Sequence, residues 1–204
     1  MALGPAFVRV LTRADGSTKP PPSDVAWFRS VHGSDVLVAD RPGLAGSADG
    51  LVTTSRGLPL LARAADCGML AMASPEGVVG VAHAGWRGLV EGVIPALAGH
   101  MRRLGAASIL GFSGPTIGPC CDEFGEDDLR RVCDAVGVDV SSTTTAGSLS
   151  LDPQAGIAAA CAAAGVELVG VDHRCTACDG AGGTFYSHRA RRDVGRHGVV
   201  AWLP

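Results

Sequence analysis

The sequence predicts one domain of mixed α/β or α+β type, on three observations. A chain of 204 residues is the size of one packed core. Hydrophobic residues make up 47% of it and charged residues only 18%, a core-forming composition with no signature of disorder. Short apolar runs fill the first half and alternate with segments of helical period in the second.

In chain order, the runs "FVRVL" (7–11), "DVLVAD" (35–40), "DGLVTT" (49–54), "LPLLARAA" (58–65), "GMLAMA" (68–73) and "GVVGVAHA" (77–84) are short, rich in Val, Leu and Ala, and bounded by Gly, Pro, Asp or Ser. Each reads as a strand. After Trp86 the period changes. Leu89, Val93, Leu97 and Met101, four apart, mark the buried face of one helix that runs to about Leu104, kinks at Pro95 and stops at Gly105. "SILGF" (108–112) returns to strand. "EDDLRRVCDAV" (126–136) opens on acids and continues amphipathically, as a helix does, and "LDPQAGIAAACAAAG" (151–165) is an alanine-rich helix with Pro153 in its first turn. "VELVGV" (166–171) and "GVVAWL" (198–203) are the closing strands. "ADGSTKPPPSD" (14–24) reads as the one linker-like stretch, because its three consecutive prolines resist both helix and central strand.

A formal net charge of -3 and a basic cluster no longer than "HRARR" (188–192) supply no electrostatic footprint for nucleic acid, so a small-molecule partner is expected. The N-terminus has no secretory pattern, and no apolar run reaches membrane-spanning length. The expected location is the cytoplasm. Seven cysteines, an odd number in a chain too large to need stapling, point to reduced thiols or thiolate ligands.

The chemistry-bearing residues cluster at strand ends. "VAHAGWRG" (81–88) closes an apolar run on His83 and follows it with Gly85, Trp86, Arg87 and Gly88. His32, in "SVHGSDV", and Cys67, directly after Asp66 in "RAADC", occupy similar boundaries. One thiolate and two imidazoles suit a zinc ion with a fourth position left open for water or substrate, the pattern of a catalytic rather than a structural site. The same atoms also suit a nucleophilic Cys67 activated by His83, with Asp66 or another carboxylate orienting the base. Arg87 stands at a strand-to-helix junction, where a guanidinium and free backbone N–H groups can meet a phosphate or carboxylate together. "SGPTIGP" (113–119) is a second Gly/Pro-rich loop. The C-x-x-C of "HRCTAC" (173–178) reads as incidental for want of a second one, and the adjacent Cys120 and Cys121 read as a pocket wall or packing, since neighbours in sequence are poorly placed to chelate one ion.

Taken together and in this order, "SVHGSDV", "ADGLVTT", "RAADC", "VAHAGWRG", "GPTIGPCCDEFG", "RCT" and "FYSHRARRDVGR" resemble the laccase-domain family, the YfiH-type proteins once described as polyphenol oxidases and now regarded as purine nucleoside phosphorylases. The resemblance runs from about residue 25 to the C-terminus. It implies an α/β sandwich like the catalytic domain of a cytotoxic deamidating toxin, the cytotoxic-necrotizing-factor-like fold. It further implies a zinc ion, or copper as the older description suggests, held by His32, Cys67 and His83. Phosphorolysis of adenosine, inosine and methylthioadenosine is the implied activity, with adenosine deamination beside it. On that reading Asp66 and Arg87 are catalytic, and Arg87, Ser113, Cys120 and Arg189 bind the nucleoside and phosphate.

Against the family pattern, the section before "VHG" is short, Ser30 stands where Gln is common, and "SHRARRDVGR" replaces a more usual serine–tyrosine–arginine–arginine sequence. A more open pocket and weaker nucleoside binding are therefore expected. Two other classes of function compete with the phosphorylase: a cysteine-dependent amidohydrolase or peptidoglycan-precursor editing protein, with Cys67 as nucleophile, and a family member that binds a nucleoside or a protein partner without turnover.

Overall fold

The uninterrupted apolar runs become strands covered on both faces. In the computed structural model, which describes residues 1–178 and 183–204, the chain passes through β1 (Ala2–Leu3), β2 (Ala6–Leu11), β3 (Ala26–Arg29), β4 (Val36–Val38), β5 (Gly43–Ser47), β6 (Gly50–Thr53), β7 (Leu60–Ala64), β8 (Gly68–Ser74) and β9 (Val78–Ala84). It continues through α1 (Trp86–Glu91), α2 (Val93–Arg103), β10 (Leu110–Ser113), α3 (Glu126–Val136), β11 (Ser141–Thr143), β12 (Leu149–Leu151), α4 (Pro153–Ala163), β13 (Glu167–Val171), α5 (His188–Arg191) and β14 (His197–Trp202). Two six-stranded sheets result, ordered β1-β2-β14-β7-β3-β5 and β13-β10-β8-β9-β6-β4, with β11 and β12 as a separate hairpin.

The layering explains the sequence pattern. Met69, Ala71 and Ala73 of β8 and Val79 and Val81 of β9 pack against Leu60, Ala62, Val199 and Ala201 of the first sheet. The alternate residues, among them Leu70, Met72 and Ala82, pack against Ile94, Leu97, Met101 and Ile157 of the helices. Every residue of β8 and β9 is buried as a result, and the period-2 alternation of a half-exposed strand disappears. Each large side chain so buried contributes roughly 1.5–3 kcal/mol. The architecture is the expected α/β sandwich: sheet, sheet, then helices.

The single kinked helix of 86–104 is corrected to two. Gly92 adopts φ 80°, ψ 37°, a left-handed conformation that ends α1 and starts α2. Pro95 then falls in the first turn of α2, where no intrahelical N–H bond is lost, and kinks nothing. The linker-like stretch is held in place: the Thr18 hydroxyl donates to Arg196 O at 3.0 Å, and the Arg63 guanidinium donates to Thr18 O at 3.0 Å. No helix among the described residues is long and apolar enough to cross a membrane.

One buried group on β14 sets an acid limit. His197 is fully buried beside Phe185, and neither ring nitrogen has a hydrogen-bond partner among the described residues. Burial, with Arg196 and Arg13 nearby, pushes its pKa down to about 4 although Asp66 and Asp172 pull upward. Below pH 6.5 the unfolded chain therefore takes up a proton that the folded chain refuses, and stability falls until pH reaches about 4. This residue should remove roughly 3 kcal/mol over that window. Urea unfolding of His197→Leu should show a shallower acid decline than the unsubstituted protein. Parallel declines would refute the assignment.

Candidate metal centre and adjoining cavities

Strand register brings the two central donors together. Gly68 pairs with Ala84 and Met69 with His83 across β8 and β9, so Cys67, one residue before β8, projects from the same face as His83. Gly85 lies opposite Cys67. A Cβ there would sit 3.1 Å from Cys67 Sγ and 3.4 Å from His83 Cε1, which explains the glycine after the histidine in "HAGWRG". His32 comes from the turn after β3 in the other sheet, at a left-handed φ of 59°, and its ring meets that of His83 edge-on at 5.0 Å. One donor atom from each of His32, Cys67 and His83 lies within 4.8 Å of the others.

Asp49, just before β6, organises this group. Its carboxylate is fully buried and accepts from Gly33 N at 2.7 Å and Val31 N at 3.1 Å, which shapes the turn that carries His32. Asp49 Oδ1 also accepts from Ser30 Oγ and, at 3.0 Å, from His83 Nδ1; Ser30 Oγ lies 2.7 Å from that same nitrogen. Nδ1 is thereby engaged, and Nε2 faces the donor group. A ligand histidine whose other nitrogen donates to a carboxylate is the arrangement a metal site requires. Burial alone would lower the His83 pKa, but hydrogen bonding to Asp49 and Cys67 raises it to about 9. The His32 pKa is lowered by burial and by the neighbouring His83. Metal entering here displaces a proton from His83, so binding weakens in acid.

The carboxylate that orients His83 is therefore Asp49. Asp66, at a left-handed φ of 92°, turns its two oxygens the other way, accepting from the Thr176 hydroxyl at 2.6 Å and from Arg189 N at 2.7 Å. It still lines a cavity of about 220 Å³ together with Cys67, Arg87, Asp122, Phe124 and Arg189. Trp86 and Phe124 meet edge to face at 5.5 Å in its wall. The Arg87 guanidinium is exposed, stacks 4.2 Å from the Trp86 ring centroid and has no ion-pair partner among the described residues. Arg189 is committed to Asp122 at 3.0 Å and to Glu123 O at 2.9 Å. Burial pushes Asp122 up to about 6, with Arg189 opposing and Asp66 reinforcing.

A second cavity, of about 370 Å³, reaches His32, Cys67 and His83 from the other side and is ringed by Lys19, Arg29, Arg63 and Arg196. His188 lines both cavities. Two predicted substrate residues lie elsewhere. Ser113 is fully buried at the end of β10, where its hydroxyl donates to Gln154 Oε1 at 2.7 Å. Cys120 sits in a group with Cys121, Cys175 and Cys178, whose sulfurs all lie within 4.8 Å of one another. In the sequence they stand as two separate pairs, Cys120 with Cys121 and Cys175 with Cys178.

Asp49, Asp122, Phe124 and His188 escaped the sequence reading. Asp49 alone had a local signal, an acid before Gly at the opening of an apolar strand; its partner His83 is distant in the chain and adjacent only through the β6–β9 pairing, which places Gly50 opposite Ala82.

The family model described as multi-copper polyphenol oxidoreductase laccase matches residues 9–204. A protein named purine nucleoside phosphorylase from Streptomyces griseus is 38% identical over 189 residues, spanning 89% of this chain and 75% of its own. The solved structure of YlmD from Geobacillus stearothermophilus matches with a TM-score of 0.75 at 28% identity, over 89% of this chain and 74% of that one. The hypothetical protein YfiH from Bacillus licheniformis matches with a TM-score of 0.74 at 25% identity, over 87% and 74%.

Proposed function

Because the chain belongs to the multi-copper polyphenol oxidoreductase laccase family, we propose that it is a purine nucleoside phosphorylase whose zinc ion is held by His32, Cys67 and His83. The observation that carries the reading is that donor group, backed by Asp49 and opening onto both an aromatic-walled cavity and a basic one. Bound there, zinc supplies Lewis acidity toward a phosphate or ribose oxygen. The donor set also accepts copper, and elemental analysis of purified protein separates the two.

The remaining roles follow from what each side chain has free. Phosphorolysis forms a bond from a phosphate oxygen to the ribose anomeric carbon and breaks the carbon–nitrogen bond to the base. Negative charge collects on the departing purine. Trp86 and Phe124 present apolar faces for the base. Arg87 and Arg192, cavity-lining guanidiniums without an ion-pair partner among the described residues, hold the phosphate. Asp122, with its pKa near 6, is the group able to pass a proton to the base. Asp66 accepts from the Thr176 hydroxyl and the Arg189 backbone N–H and so positions the wall. Adenosine, inosine and methylthioadenosine are the expected substrates, with slow adenosine deamination beside them, and the free thiols suit the cytoplasm.

One observation favours a second reading. Cys67, His83 and Asp49 form a thiol–imidazole–carboxylate relay of the kind a cysteine hydrolase uses. The two separate on phosphate. Adenosine and inosine should stay intact in phosphate-free buffer and yield free base with ribose 1-phosphate once phosphate is added. Arg87→Lys, which keeps the charge but loses the planar fork, should lower phosphorolysis by roughly 1.5–3 kcal/mol of charge-assisted bonding and spare deamination. An unchanged Arg87→Lys rate with a failing Arg29→Gln would move the phosphate to the basic cavity. No free base from metal-replete protein at high nucleoside and phosphate would end the phosphorylase reading.

A further inference from the structure

Four thiols from two distant segments converge behind the cavity wall. Cys120 and Cys121 lie on a turn in which Gly118 O accepts from Cys121 N at 3.0 Å and from Asp122 N at 3.1 Å. Cys175 and Cys178 lie on the loop after β13. Cys178 Sγ is 3.3 Å from Cys120 Sγ and 3.5 Å from Cys121 Sγ, and all four sulfurs fall within 4.8 Å of one another. We propose that Cys120, Cys121, Cys175 and Cys178 hold a second metal ion, a structural zinc in a tetrathiolate site, independent of the donor group at His32, Cys67 and His83.

The spacing fits the ion. Zinc bound tetrahedrally at about 2.3 Å from each sulfur sets the sulfurs about 3.8 Å apart. Two of the separations, 3.3 and 3.5 Å, fall slightly below that value, and none exceeds 4.8 Å. Adjacent cysteines can both take part here because the turn brings their sulfurs within 4.8 Å of each other, and Cys178 Sγ lies close to both. Four soft sulfurs and no oxygen or imidazole in the group select zinc or iron over hard cations.

One of the four sulfurs has a backbone donor. Gly118 N donates to Cys175 Sγ at 3.1 Å. A Cβ on Gly118 would lie 3.2 Å from Cys175 Cβ and 3.3 Å from Cys120 Sγ, so glycine keeps the space the cluster occupies. The frame is preformed by backbone bonds: Thr176 N to Thr116 O at 2.9 Å, and Thr145 N to Cys120 O at 3.1 Å. The ion thereby ties the 118–122 turn to the 175–178 loop. Those segments carry Asp122, which pairs with Arg189, and Thr176, whose hydroxyl holds Asp66. The second ion fastens the wall of the cavity without touching its contents.

Elemental analysis of the full chain, purified with reductant and zinc, tests this. The unsubstituted protein should carry two zinc ions. Cys67→Ala should carry one, Cys175→Ser with Cys178→Ser should carry one, and the triple variant none. After cobalt replacement, Cys67→Ala should show the strong near-ultraviolet charge-transfer band of a tetrathiolate site. A folded Cys67→Ala protein without metal would overturn the proposal, as would iron in place of zinc. Should the double variant fail to fold, the unsubstituted chain decides: chelation should release two zinc ions and newly expose five thiols to a thiol reagent, Cys67 with one ion and the four cluster thiols in step with the other. Four thiols already reactive before chelation, or a Cys120–Cys178 disulfide that takes up no zinc on reduction, would overturn it.

Discussion

On the proposed reading, Cys67→Ala is expected to weaken metal binding at His32 and His83 sharply and to lower phosphorolysis with it. The thiolate is the only negatively charged donor of the three, and two neutral imidazoles do not replace it. Zinc sites bind with apparent free energies of roughly 10–16 kcal/mol. Shared over four positions, loss of one ligand costs about 2.5–4 kcal/mol, an affinity drop on the order of 10²-fold. Equilibrium dialysis against a chelator measures it. The same variant separates the enzyme readings, because a nucleophilic Cys67 would retain activity in the metal-free unsubstituted protein and lose it on alkylation. Activity that disappears on chelation and returns with zinc supports the ligand role. Full metal content in Cys67→Ala would remove Cys67 from the site.

Asp49→Asn is expected to have the next largest effect, and one with a distinctive pH dependence. The substitution preserves shape but removes the charge facing a buried imidazole. Loss of such an orienting carboxylate typically lowers metal affinity about 10–100-fold. In metal-free protein the His83 pKa stands at about 9, raised above its ordinary value of 6.5 by Asp49 and Cys67 despite burial. A raised folded pKa stabilises the fold fully below the unfolded value and ceases to do so as pH climbs through the folded one. The Asp49→Asn deficit, on the order of 3 kcal/mol, should therefore be greatest below pH 6.5 and shrink toward pH 9. Urea unfolding of chelated protein at several pH values reads it directly. A deficit independent of pH would mean that Asp49 acts only by hydrogen bonding to Gly33 and Val31.

What was legible in the sequence had a local physical cause. α3 spans the residues its amphipathic period marked, because three acids occupy its first turn and Gly137 closes it at a left-handed φ of 74°. β8 and β9 were legible because burial on both faces demands an unbroken apolar run. β3 and β5 were not: "AWFR" is four residues long, and "GLAGS" is a partly exposed edge strand with two glycines, so neither bears a period. The break at Gly92 was misread as a kink at Pro95, since a proline's effect depends on which turn of a helix it occupies and only the folded chain sets that count.

By itself the sequence determined the layered α/β class, most of the central strands, and the candidate donors His32, Cys67 and His83, whose motifs stand at strand ends. Tertiary structure alone decided that Asp49 rather than Asp66 orients His83, that Ser113 turns away to Gln154, that Asp122 faces the cavity beside Arg189, and that two separate cysteine pairs become one cluster. The difference is physical. Periodicity and turn chemistry act over a few residues and leave a mark in the chain, whereas a hydrogen bond or a thiol cluster joins residues whose separation in sequence has no bearing on their distance in space, and only the register of the packed sheets brings them together.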